Sequence, residues 1–203
     1  MLILASGSPQ RKDILTKLGI KFKAVPSHVD ETHDGLKRPY AIARNLAYKK
    51  AYEIACMYPD DWVLGCDTLV VLKDGRIAEK PKDRADAKRT IKAYRNSYCD
   101  VYSGLALLNL TARGRNKFVG YEKTRLFFSD FTEQQIEEYL DSEEWCNRSG
   151  SMTLEGRGGQ WVKKVDGCYW NVVGLPVDLL KKFLRKGMKN ENLPAPKASL
   201  RDR

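Results

Sequence analysis

Four stretches of this sequence combine residue types that could do chemistry. In Ser6-Gly7-Ser8-Pro9-Gln10-Arg11 two hydroxyls and a guanidinium flank a strand-to-helix turn. Free backbone N–H groups and the positive end of a helix dipole converge at such a turn, which is how proteins hold phosphate. A plain Ser-Pro helix start is the alternative. Asp67 follows the apolar run Trp62–Cys66 and precedes Thr68. A carboxylate delivered by the end of a buried strand can bind a metal or activate water, or it can cap a turn. In Glu79-Lys80-Pro81-Lys82-Asp83, Lys80 and Lys82 can neutralise polyphosphate oxygens, although a charge run is also ordinary solvated surface. The stretch Gly150-Ser151-Met152-Thr153-Leu154-Glu155-Gly156 and the glycines after it could approach a ligand closely, or simply turn.

Other chemistries are excluded or poorly supplied. There is no G-x-x-x-x-G-K-[ST], so no P-loop, and Leu69 two positions after Asp67 argues against an aspartyl-phosphate D-x-D site. His28 and His33 are the only histidines, which leaves little for a His-rich metal site or a Ser-His-Asp triad. Five scattered cysteines without a C-x-x-C pair argue against structural zinc. Without a secretion signal, reduced thiols in a cytoplasmic protein are expected. Oxygen-ligand chemistry stays open.

The elements that must position these residues alternate between strands and helices. Leu2–Ala5 is predicted as a strand. Ser8 and Pro9 start a helix that Gly19 ends. A short strand over 22–25 leads through a polar loop to a long helix opened by Pro39, with Ala43, Leu46, Ala47, Ala51 and Ile54 on one face. Strands are predicted at 62–66 and 69–72, with Asp67 at the end of the first, followed by a hairpin at Asp74-Gly75. Asp83 caps a helix carrying Ala87, Ile91 and Tyr94; long strands follow near 101–110 and 117–128, joined by a basic turn at 113–116. Thr132 and Gln135 form a capping box. A Gly/Ser-rich loop over 147–159, a strand at 160–165 and a final helix after Pro176 complete a mixed α/β protein without internal repeats.

Of 203 residues, 42% are hydrophobic and 31% charged, which describes a folded domain able to bury a core. No apolar run is long enough to span a bilayer. The net charge of +10 is concentrated at the end: residues 181–203 hold eight basic and two acidic residues. Residues 1–188 are expected to form one domain and 189–203 a flexible basic tail, so the body itself does not point to nucleic acid.

In order and spacing, Leu4-Ala5-Ser6-Gly7-Ser8-Pro9 with Arg11, Asp30-Glu31, Leu46-Ala47 with Lys50-Ala51, Gly65-Cys66-Asp67-Thr68, Lys80-Pro81-Lys82-Asp83 and Asn171-Val172-Val173-Gly174-Leu175-Pro176 resemble the Maf family, the septum-formation-inhibitor-like nucleoside triphosphate pyrophosphatases. The resemblance covers about residues 2 to 186. It implies an inosine-triphosphate-pyrophosphatase-like fold: an elongated mixed sheet flanked by helices, with two lobes and a central cleft. It also implies hydrolysis of a nucleoside triphosphate to a monophosphate and pyrophosphate, with Mg²⁺ or Mn²⁺, in a cytoplasmic and often dimeric protein. Asp67 would be the general base, Glu31 would join it as an oxygen ligand to the metal, and Ser6, Ser8, Arg11, Lys50 and Lys80 would hold the triphosphate, with Lys82 further out. Gln10, Thr68 and Glu155 would stand at the specificity positions.

Those three positions disagree. Thr68 matches the pyrimidine-directed relatives, whereas Gln10 replaces their arginine and Glu155 their glutamine. A glutamate at position 155 resembles the branch acting on 7-methyl-GTP, and it can accept from the N–H edge of guanine. Cys99-Asp100 and Ser103 replace a common His-Glu and Thr, and Glu79 a usual Gly. Either a dTTP/UTP-like or a 7-methyl-GTP-like substrate is thus implied. The alternatives are a weakly active relative with a binding role in cell-division control, and a nucleic-acid binder using the basic tail.

Overall fold

A computed structural model of the chain describes residues 1–111 and 114–188. The basic tail expected at 189–203 lies outside the described residues, as do positions 112 and 113 in and beside the turn expected at 113–116. Seven strands form one mixed sheet: β1 (Leu2–Leu4), β2 (Lys23–Ala24), β3 (Trp62–Leu72), β4 (Ile77–Ala78), β5 (Tyr98–Asn109), β6 (Asn116–Phe128) and β7 (Val162–Asp166). Their order is β2-β1-β3-β5-β6-β7, with β4 beside β3; β1 runs parallel to β2 and β3, and the other pairs are antiparallel. The helices are α1 (Pro9–Lys17), α2 (Pro39–Met57), α3 (Arg84–Tyr94), α4 (Glu133–Asp141), α5 (Tyr169–Val173) and α6 (Val177–Gly187). No helix among the described residues is long and apolar enough to cross a membrane.

Local chemistry sets most of the boundaries. Ser8 caps α1, accepting from the N–H of Arg11, with Pro9 in the first turn. Asp83 caps α3, and Thr132 with Gln135 closes the capping box of α4. Asp74 and Gly75, the glycine at φ +87°, turn β3 into β4.

Two sequence expectations change. The strands expected at 62–66 and 69–72 are a single eleven-residue strand, so Asp67 and Thr68 lie in its middle and not at its end. Both residues keep the ladder to β5, Asp67 opposite Gly104 and Thr68 opposite Ser103. Secondly, Tyr169–Val173 forms the unexpected short helix α5.

Three apolar clusters line the sheet. Ile14, Leu15, Leu64, Cys66, Leu105, Leu180 and Phe183 pack α1 and α6 on one face. Further along, Ile91, Tyr94, Val101, Leu126, Ile136 and Tyr139 pack α3 and α4. Helix α2 packs on the opposite face through Ala47, Ala51 and Ile54 against Val63, Ala106 and Leu108. It lies very close to the strands. A Cβ on Gly65 would sit 2.2 Å from the Ala47 carbonyl oxygen, and one on Gly104 would sit 2.0 Å from that of Ala43.

Between the first two clusters runs a buried polar belt. Ser103, Thr124 and Asn171 are fully buried. Asn171 Nδ2 donates to Thr124 Oγ1 and the Val101 carbonyl, at 3.0 and 3.2 Å. Beyond the belt, the Tyr94 hydroxyl donates to the Gly150 carbonyl at 2.8 Å. Tyr94→Phe leaves that carbonyl without its partner and is expected to cost about 1 kcal/mol. A melting curve should show a drop of roughly 2–4 °C.

Candidate active site

The sheet leaves a gap where Asp67 lies. One edge of β3 pairs with β1 through Leu64 and with β4 from Val70 onward. Between these, residues 65–69 have no strand partner on that side. The chain leaves β1 into Ser6-Gly7-Ser8 on one bank of the gap and leaves β4 into Glu79-Lys80 on the other. A cavity of about 810 Å³ opens there, lined by Ser6, Ser8, Gln10, Arg11, Glu31, Lys50, Asp67, Thr68, Lys80 and Glu155. Its size suits a nucleotide-sized ligand. Lys82 does not line it: the residue is exposed and its backbone N–H donates to Asp86.

On the α2 side of the gap, Lys50 bridges two carboxylates. Its Nζ lies 2.6 Å from Asp67 Oδ1 and 2.7 Å from Glu31 Oε1. The side chains of Lys50 and Asp67 are 10% and 9% exposed, while that of Glu31 is 64% exposed. The tight seating of α2 on Gly65 and Gly104 brings Lys50 within reach. Asp67 Oδ2 is buried and has no hydrogen-bond partner among the described residues. Burial pushes the Glu31 carboxyl up, but the hydrogen bond and charge of Lys50, aided by Lys80 and Arg11, outweigh it and hold Glu31 below its ordinary value.

The pH consequence follows from that sign. A carboxylate depressed in the folded state contributes stability above its unfolded pKa and loses it as pH falls through the folded one. Glu31→Gln should therefore be less stable than wild type above about pH 5, with the difference shrinking in more acid solution. Paired melting curves across pH 3–7 check this; a constant difference would contradict the ion pair.

On the opposite face, Arg11 is held from three directions. Its Nε donates to the Gly174 carbonyl at 3.0 Å, Nη1 to Ser6 Oγ at 3.0 Å and Nη2 to Thr68 Oγ1 at 3.4 Å. The same carbonyl accepts from Cys66 Sγ and Thr68 Oγ1. Thr68 Oγ1 and Ser103 Oγ lie 2.8 Å apart, which ties this corner to the polar belt. Helix α5 ends at Gly174, whose φ of +122° aims the carbonyl back at Arg11.

The glycine-rich stretch forms the rim. Two short 3₁₀ turns, Ser149–Ser151 and Arg157–Trp161, replace the irregular loop expected at 147–159. Gly150 N–H donates to the Glu79 carbonyl, which ties this rim to the Lys80 bank. The later glycines are packed by their own loop: a Cβ on Gly158 would meet Met152, and one on Gly159 the Leu154 carbonyl. Glu155 is exposed at the mouth, and its charge reaches Lys17 and Tyr169. Arg148 also lines the cavity and was missed in the sequence, although Asn147-Arg148-Ser149 is a polar, basic lead-in to the glycines.

The arrangement can place an anionic chain between a helix N-terminus and several cations, beside a carboxylate oxygen free to accept a proton or bind a cation. Comparison with known proteins agrees with the sequence motifs. The profile of the family described as "Maf-like protein" matches residues 1–187. A dTTP/UTP pyrophosphatase of Pelotomaculum thermopropionicum is 39% identical over 186 residues, covering 90% of this chain and 96% of that protein. A dTTP/UTP pyrophosphatase of Geobacillus sp. is 39% identical over 176 residues, covering 87% and 92%. One of Elusimicrobium minutum is 35% identical over 185 residues, covering 91% and 97%. With the profile matched across the whole sheet and the residues of its gap, the chain belongs to the Maf-like protein family.

Proposed function

We propose that this protein is a nucleoside triphosphate pyrophosphatase that hydrolyses pyrimidine nucleotides of the dTTP and UTP kind to the monophosphate and pyrophosphate. One observation carries the reading: a buried carboxylate oxygen, Asp67 Oδ2, stands unpartnered in the strand gap between Ser6-Gly7-Ser8 and Lys80. Buried acceptors are nearly always paired, so one left open in a cleft calls for a ligand or a water. Asp67 Oδ2 takes a proton from water as its oxygen attacks the α-phosphorus. The bond from the α-phosphorus to the α–β bridging oxygen breaks, and pyrophosphate leaves. Ser8 with the first turn of α1, Arg11, Lys80 and Arg148 neutralise phosphate oxygens as charge builds on the leaving group. Lys82, outside the cavity, acts at most on the incoming charge.

A divalent cation, Mg²⁺ or Mn²⁺, fits the hard oxygen donors of Asp67 and Glu31. When bound it would neutralise phosphate charge and polarise the attacked group. Among the described residues no group of three or more His, Cys, Asp or Glu is placed to hold a metal by itself; phosphate oxygens and water would supply the further ligands. The five free thiols suit a reducing cytoplasm.

A panel of canonical and modified nucleoside triphosphates with Mg²⁺ or Mn²⁺, scored for pyrophosphate, tests the function. Release from UTP or dTTP well above that from purine nucleotides is expected; no release from any of them rejects the reading. The same assay resolves position 155. Glu155→Gln replaces a charge at the mouth with an amide and is expected to raise kcat/KM for UTP relative to a guanine nucleotide by about tenfold. An unchanged ratio would place Glu155 outside base recognition.

A further inference from the structure

We propose that the Lys50 ammonium occupies the cation position between Asp67 and Glu31, so that the protein takes up a divalent cation together with a triphosphate and not before it. The inference rests on the hydrolase reading of the same site and adds an order of binding to it. Lys50 Nζ sits 2.6 and 2.7 Å from one oxygen of each carboxylate, the very pair that would hold the metal. The ammonium is nearly buried, and the helix that carries it is seated closely on two glycines. A bare cation entering this site gains two carboxylates but must leave the ammonium buried without its partners, which is costly. A triphosphate changes both sides of that balance. Its oxygens supply the missing cation ligands and give Lys50 a new anionic partner at the end of its flexible stem. Cation and nucleotide are therefore coupled, and the coupling is reciprocal.

The test is Mn²⁺ binding to the full chain, read by electron paramagnetic resonance of the free ion. It is run with and without the α,β-methylene analogue of UTP, which resists cleavage at the scissile bond. Wild type should bind Mn²⁺ at least about tenfold more tightly with the analogue than without it, beyond the analogue's own chelation. Lys50→Met should bind Mn²⁺ alone at least about tenfold more tightly than wild type, and Lys50→Met with Asp67→Asn should lose that gain. If Lys50→Met does not fold, the wild-type coupling still decides. Tight Mn²⁺ binding by wild type without nucleotide, or equal affinity in wild type and Lys50→Met, overturns the proposal. Pyrophosphate release is scored separately, so a failed hydrolase reading with intact coupling is distinguishable from the reverse.

Discussion

Asp67→Asn is expected to lower pyrophosphate release by roughly 10²–10⁴-fold, the usual range for losing a positioned general base. The amide keeps the shape of the carboxylate and one acceptor for Lys50 Nζ, now 2.6 Å away. Glu31 still partners the ammonium at 2.7 Å, so the buried lysine is not stranded. The melting temperature should consequently move by only a few degrees, far less than a collapse of the site would produce. Single-turnover measurement at saturating nucleotide separates lost chemistry from lost binding. Turnover near the wild-type rate would remove Asp67 from the reaction.

Gly65→Ala should have a large effect for a single added methyl group. The new Cβ would lie 2.2 Å from the Ala47 carbonyl oxygen and 2.8 Å from Ala51, both on α2. Backbone cannot rotate away as a side chain can, so α2 must lift from the sheet. Overpacking of this kind costs about 1–3 kcal/mol, which corresponds to a drop of roughly 2–12 °C in a chain of this length. The functional loss should exceed what stability alone explains, because lifting α2 withdraws Lys50 from Asp67. Activity measured well below the melting temperature, in Gly65→Ala beside a comparably destabilised core variant away from α2 such as Leu180→Ala, shows whether the two effects separate.

Those two residues also show what was legible before the structure. Helix starts could be read directly, because Ser8 with Pro9, Asp83, and Thr132 with Gln135 satisfy orphan N–H groups by local chemistry. The hairpin at Asp74-Gly75 was legible for the same reason. The continuity of β3 was not. Polar Asp67 and Thr68 interrupt its apolar run and mimic a turn, whereas they sit mid-strand because the edge beside them is open and the polar belt begins there. Helix α5 was also hidden: Tyr169-Trp170-Asn171-Val172-Val173 is aromatic and β-branched, a composition that favours strands. The residue types of the site were readable from motif chemistry. The Lys50 bridge was not, since it depends on how closely one helix approaches two glycines distant in the sequence. The charge run alone does not separate Lys82 from Lys80; the family resemblance puts Lys82 further out, and the path of the chain into α3 leaves it outside the cavity.

The carbonyl of Gly174 has a consequence for how this protein comes into being. Arg11 precedes one of its three acceptors, the Gly174 carbonyl, by 163 positions. A nascent chain that ends between Thr68 and α5 carries Asp67, Lys50 and Glu31 but lacks the Gly174 partner of the guanidinium. A contact of such sequence separation forms late and slowly, after the intervening strands have paired. Translation stalled before α5, or proteolysis that removes it, thus yields fragments that carry Asp67 but hold Arg11 only through Ser6 and Thr68. The third hold on Arg11 is completed only when the end of α5 docks.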